Sequence, residues 1–226
     1  MTDLLSSWFP NVVTRLPEFF DSFVQTLIML GVTGVLSFVF ATFFAVVLTV
    51  TQHGGLTPNP VVFNVIDKIV NLFRSIPFII LAAALVPVTR ALVGTAIGTK
   101  GAIFPLIVGI TPFFTRQIQS ALSSVDPGFV EAAVSMGMSP IEIIFRVYLR
   151  EGVPAIIRVT TITLISLIGL TAIVGIVGGG GLGDLAIRYG YQRYMLDATY
   201  ATIIVLVLLI GLIEFIGRLL VEITEH

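Results

Sequence analysis

The feature that most restricts this chain is a gap in its charges. No Asp, Glu, Lys or Arg occurs between Asp21 and Asp67, and the run from Phe23 to Val50 fills the first part of that gap with apolar side chains. A helix needs about 20 such residues to cross the hydrocarbon core of a bilayer. There the backbone polar groups can only bond one another, which leaves a helix as the natural solution. The run ends at Gln52-His53-Gly54-Gly55, and Pro58 and Pro60 follow as helix breakers.

Four further stretches have this character. The second runs from Val61 to Val88 with Asp67, Lys68 and Arg74 in its first half. Those charges are expected at or near the interface, with long side chains snorkelling toward water. The third covers Ala102 to Leu122. The fourth covers Ala155 to Val177 and has no charge after Arg158. The fifth covers Ala198 to Leu220, where Glu214 and Arg218 are spaced for a helix-end salt bridge. Only 11% of the residues are charged and 56% are hydrophobic, with a mean hydropathy of +1.06. Soluble domains run near 25% charged, and none could hide this much apolar surface. The expected fold is all-α and polytopic, with five transmembrane helices in one domain, residues 1–226.

Five spans place the termini on opposite sides. With the third-to-fourth loop inside, the inner side holds seven cations (Lys68, Arg74, Arg116, Arg146, Arg150, Arg158, Arg218) and the outer side five (Arg15, Arg90, Lys100, Arg188, Arg193). The excess favours an outside N-terminus and an inside C-terminus. Met1-Thr2-Asp3 lacks a basic segment, so the first span, rather than a cleaved signal peptide, is expected to target the chain. A net charge of −1 gives no footing for nucleic acid. Without cysteine there are no disulfides or thiolate sites. His53 and His226 stand far apart and lack a ligand cluster.

Between the third and fourth spans lies a loop, residues 123–152, with legible capping signals. Asp126 can cap a helix that begins at Pro127. Gly137 suits the left-handed position that ends it. Ser139, Pro140 and Glu142 then form a capping box for a second helix. Two short helices meeting at Gly137 are therefore expected outside the membrane. On these grounds alone, an interfacial helix pair lying on lipid and a docking element are both open.

The segment Glu131-Ala132-Ala133, three residues, then Gly137 resembles the EAA loop of ABC importer permeases. In that family nine residues and I-x-L-P follow. Here Val147, Leu149 and Arg150 occupy those places, so the final proline is an arginine, and Pro154 four residues on is the candidate substitute bend. Three more stretches resemble the permease subunit of methionine (including D-methionine) importers: Asn71 to Phe78, Val93 to Gly98, and Gly178 to Gly183 followed by Asp184, Tyr189, Gly190 and Tyr191.

The resemblance implies a type I ABC importer permease fold in the bacterial inner membrane, with the loop as a cytoplasmic coupling helix seated in an ATPase groove. It implies a second copy of this chain, two ATPase subunits and a substrate-binding protein or lipoprotein as partners. It implies no catalysis and no cofactor on this chain, with ATP and magnesium on the ATPase. Glu131, Ala132, Ala133 and Gly137 become the candidate coupling residues, and Ile173, between Gly169 and Gly175, the candidate gate. Methionine is the implied substrate, with another small amino acid as the alternative.

Two other classes fit less well. An ion-driven secondary transporter usually shows intramembrane ionisable groups or inverted repeats, and an intramembrane enzyme needs a convergent constellation of reactive groups. The first, third and fourth spans have charge-free centres, and no convergent reactive constellation lies within the spans. Gly178 to Gly183 formally contains G-x-G-x-x-G but follows a membrane helix and not a strand, so a flexible turn is the expected reading. Asp184, Asp197, Arg188 and Arg193 are expected to be solvated or to meet the binding protein. Arg74 is expected at the interface, with cavity lining as the alternative.

Overall fold

The structure, a computed structural model, describes residues 8–224. Met1-Thr2-Asp3 and His226 lie outside the described residues. All regular elements within them are helical: α1 (Pro10–Thr14), α2 (Leu16–Thr51), α3 (Pro60–Ser75), α4 (Phe78–Ala84), α5 (Val86–Val93), α6 (Gly98–Ser123), α7 (Pro127–Ser135), α8 (Pro140–Ile143), α9 (Leu149–Glu151), α10 (Val153–Ile176), α11 (Gly181–Leu185) and α12 (Leu196–Thr224). A π-helical turn, Ile144–Tyr148, joins α8 to α9, and another, Ala186–Tyr191, extends α11.

Four of these helices, α2, α6, α10 and α12, are long and apolar enough to cross a membrane. They correspond to four of the five expected spans. The stretch expected as the second span, Val61 to Val88, is three consecutive helices instead. Pro77 has no N–H to donate, and Ile76 before it is forced into an extended conformation (φ −85°, ψ 124°), which closes α3. Pro87 then sits in the first turn of α5. The apolar content that suggests one span is real; the prolines divide it.

The long helices owe their packing faces to a regular apolar register. Ala102, Leu106, Ile110, Phe114, Ile118, Leu122 and then Val125 are buried at steps of three or four residues, so a buried stripe winds along the length of α6. Small residues at the buried positions 41 and 45 of α2 let helices approach closely. This matters in lipid, where close packing and not water exclusion drives association.

The chain divides into two compact units. The first comprises residues 1–35, 77–109 and 164–213. Within it, Leu185, Tyr189 and Ala198 form a core against Val12, Phe19 and Met195. Asp197 accepts bonds from the Asn11 backbone at 2.8 Å and its side chain at 2.9 Å, which fixes α1 to the start of α12. The second unit comprises residues 36–76, 110–163 and 214–226. Its core joins Ala41, Ala45, Phe114, Ile118, Ala121, Leu122 and Ile156, with Phe38 stacked on Phe114 at 5.7 Å. Gly217 lies so close to Thr161 that a Cβ would fall 2.2 Å from its hydroxyl, so α12 and α10 touch there backbone to side chain.

Two expectations about charges are resolved here. Glu214 and Arg218 form their i,i+4 pair, at 3.8 Å. Asp67, expected at or near the interface, pairs with Arg116 of α6. That guanidinium also donates to Asn71 Oδ1 at 3.1 Å and to Gln119 Oε1 at 2.7 Å, and Asn71 donates to Asp67 at 3.0 Å. Arg74 ends α3 as an exposed side chain in its last turn.

Candidate functional site

The loop after α6 folds as a helical hairpin with all three of its expected caps in place. Asp126 accepts the Gly128 amide at 2.8 Å, and Pro127 occupies the first helical position, where its missing N–H costs nothing. The helix α7 ends in a Schellman motif. Gly137 takes φ +77°, its amide bonds Val134 O at 2.9 Å, and the Met138 amide bonds Ala133 O at 3.1 Å. Space around Gly137 is open, so its requirement for glycine is conformational and not steric. Ser139 then closes a capping box: its amide donates to Glu142 Oε2 at 2.9 Å, and the Glu142 amide bonds back to the Ser139 hydroxyl at 3.4 Å. The Ser139 amide and then its hydroxyl, both donating to the Glu142 carboxylate, hold that carboxyl below its ordinary range.

The hairpin carries its own core of Val125, Ala133, Ile143 and Val147, flanked by Leu56, Val130, Met138 and Tyr148. This separates the candidate coupling residues. Glu131, Ala132 and Gly137 are exposed. Ala133 is 1% exposed, so its small side chain admits close packing inside the hairpin and takes no part in the outward face. The hairpin also exposes apolar side chains: Phe129, Met136, Ile141 and Phe145, with Met136 at 73%. None of these four belongs to the EAA motif. The signal was present: Phe129, Ala132 and Met136 repeat at three and four residues, offset from the buried Ala133.

The departure at Arg150 has a structural resolution. Val147 fills the motif position in the hairpin core, Leu149 packs on the neighbouring core, and Arg150 is exposed. The helix runs through a π turn to Glu151 and pauses only at Gly152, after which Pro154 lies in the first turn of α10. Gly152 is buried, and a Cβ there would fall 2.5 Å from Tyr148 O. Helical hydrogen bonding continues across this point, from Gly152 N to Tyr148 O at 3.0 Å and from Ile156 N to Gly152 O at 2.8 Å. Burial also pushes the Tyr148 phenol above its ordinary pKa.

In the first unit, Ile173 is half-buried on α10, and Gly169 is exposed with open space around it. Gly175 is a packing residue: a Cβ there would meet the Asp184 amide at 2.4 Å. The glycine run after α10 is a tight reversal, with positive φ at Gly178, Gly180 and Gly181. Its amides already have protein partners. Gly181 N donates to Gln25 Oε1 at 2.8 Å and Leu182 N to Thr26 Oγ1 at 2.9 Å, as a capped turn would require. Beyond it, Asp184 pairs with Arg188 at 3.1 Å. The guanidiniums of Arg15, Arg188 and Arg193 lie 4.6–4.8 Å from the Tyr189 ring centre. Arg188 and Arg193, expected to be solvated or to meet the binding protein, are exposed and gathered with Arg15 around one aromatic ring.

Residues 42–226 match the family described as binding-protein-dependent transport system inner membrane component. The probable D-methionine transport system permease protein MetI of Vibrio cholerae is 44% identical over 202 residues, 89% of this chain and 90% of that one. The methionine import system permease protein MetP of Bacillus subtilis is 40% identical over 222 residues, 98% of this chain and 99% of that one. Among solved structures, a chain of the MetNI methionine ABC transporter in an inward-facing conformation is 38% identical, with a TM-score of 0.92 over 94% of this chain and 99% of that one. The chain belongs to the binding-protein-dependent transport permeases, the membrane-spanning subunits of ABC importers.

Proposed function

We propose that this chain is the permease of a methionine importer, working as two copies with two ATPase subunits and an external substrate-binding protein or lipoprotein. The hairpin of residues 123–152 carries the proposal: a capped, self-cored element that exposes both apolar side chains and a glutamate. Apolar anchors around a polar contact are what a docking interface needs. In this reading Phe129, Met136, Ile141 and Phe145 seat in the ATPase, Glu131 pairs with its cations or amides, and Gly137 sets the bend. The carboxylate of Glu131 is free to accept; Ala132 beside it lets a partner backbone approach.

The chain supplies the passage, and ATP with magnesium acts on the partner. Closure of the ATPase pair draws the two hairpins together, and the spans shift between inward- and outward-facing arrangements. Such coupling requires that the ATP-bound pair favour one arrangement, since an input with equal affinity for both shifts nothing. Ile173 is the proposed gate, the hairpin is cytoplasmic, and the N-terminus is outside. Stereochemistry and selectivity rest largely with the binding protein, so another small amino acid remains the competing substrate.

The test is reconstitution. Purified chain, ATPase and binding protein in proteoliposomes are expected to accumulate methionine only with ATP. Glu131→Ala and Gly137→Val are expected to lower ATPase retention or to leave hydrolysis running without uptake. Uptake by this chain alone under an ion gradient would overturn the assignment.

A further inference from the structure

The first unit contains a cavity of about 250 Å³ walled by α4, α5, the start of α6 and the end of α10, with Ala82, Val86, Thr89, Ala102, Pro105 and Val174 among its lining residues. Two glycines in the wall are under steric demand. A Cβ at Gly101 would fall 2.5 Å from the Ala96 carbonyl carbon, and one at Gly179 would fall 2.1 Å from Val174 Cγ1. Thr89 is the one lining side chain that can form a hydrogen bond. It is 1% exposed, and its hydroxyl has no partner. Thr26, Thr49, Thr115, Thr163 and Thr202 each give their hydroxyl to the carbonyl four residues back; Thr33, Thr42, Thr89 and Thr160 have no such partner, and of these four Thr89 lines the cavity.

The cavity is larger than the ~150 Å³ at which an apolar cavity stays dry and takes up benzene. Water needs two to four polar partners to settle, and the lining side chains offer one. An occupant suited to this wall is a slender apolar chain with a single weak acceptor. A thioether side chain has that chemistry: methylenes and a terminal methyl for the alanines and valines, and a sulfur that accepts weakly from a hydroxyl.

We propose that this cavity is a transport subsite that receives the side chain of methionine, with the Thr89 hydroxyl donating to its sulfur and the charged ends of the amino acid left outside the apolar wall. The assignment rests on the methionine-importer reading above. Thr89 is a specificity residue in this scheme: it separates methionine from norleucine, its methylene isostere, which fills the same space without an acceptor.

The experiment uses the whole permease–ATPase complex in nanodiscs, without binding protein. Radiolabelled methionine is measured by equilibrium dialysis with norleucine as competitor, and the ATPase subunits alone serve as the control. Wild type is expected to bind methionine beyond that control and to prefer it over norleucine about 2- to 5-fold, the worth of one weak neutral hydrogen bond. Thr89→Val is expected to bring the preference close to one, and Thr89→Ser to retain it. Ala82→Leu fills the cavity and is expected to weaken both ligands. If that variant fails to assemble with the ATPase, the Thr89 pair still decides. An unchanged preference in Thr89→Val, or no binding beyond the control, overturns the subsite. In parallel, wild-type uptake in proteoliposomes with the binding protein separates the two readings. Uptake without cavity binding sinks the subsite alone; absence of methionine uptake sinks the importer reading and the subsite with it.

Discussion

Ala132 and Ala133 are neighbours in the chain with opposite surroundings, one exposed and one buried under Val125, Ile143 and Val147. Their leucine variants should therefore behave differently. Ala133→Leu over-packs the hairpin core and is expected to cost about 1–3 kcal/mol, seen as faster proteolysis of residues 123–152. Ala132→Leu is expected to leave proteolysis unchanged and to reduce ATPase co-purification. At Gly137 the cause is conformational: a β-branched side chain at φ +77° costs about 1–2 kcal/mol, so Gly137→Val should loosen the hairpin although nothing is crowded. Glu142 adds a pH dependence. Its folded pKa lies below its ordinary value of 4.5 because the Ser139 amide and hydroxyl favour the carboxylate. The capping contribution is thus complete above about pH 4.5 and is lost as pH falls through the lowered folded value. Hydrogen exchange at the start of α8 should quicken over that acid window, and Glu142→Gln should flatten the dependence.

Among the elements, the caps at Asp126, Gly137 and Ser139 were readable because capping is local: a few adjacent residues contain both donor and acceptor. The spans were readable because their apolar runs are longer than any soluble helix needs. The division of the second stretch at Pro77 was present in the sequence but hidden by hydropathy, which averages across a break. The pairing of Asp67 with Arg116 was not readable, since it joins α3 to α6 across 49 positions. The same holds for Gln25 and Thr26, which cap the amides of the glycine turn 156 residues away. The Asp67 and Arg116 side chains are 29% and 20% exposed, between a surface pair and a buried one. Arg116→Gln should accordingly cost roughly 1–3 kcal/mol, measured as thermal stability in detergent. Adding Asp67→Asn should recover part of it, because the stranded carboxylate is removed.

For the molecule as a whole, α12 sets the open question of surface. Only 6% of its most apolar window is buried within the chain, so lipid or a second copy must cover it. The proposed dimer predicts a two-to-two complex with the ATPase by native mass spectrometry. A one-to-one complex that transports methionine would argue against it. Function was legible at this scale only through the EAA resemblance. Composition says membrane and capping says hairpin, but neither names a partner. The apolar side chains that the hairpin exposes are the physical support for the proposed docking.

Leu56 gives the hairpin a second consequence. It belongs to the turn after α2, where the amides of Thr57 and Asn59 bond back to Val50 O and Thr51 O at 3.0 Å. Asn59 then caps α3 through the amides of Val61 and Val62. Leu56 itself is packed into the hairpin core. The hairpin is thus less a free arm than the foot of a strut that includes the first span. A force applied there is felt at once by a helix that ends at Thr51, far earlier in the chain, with no need to travel through the helix that follows.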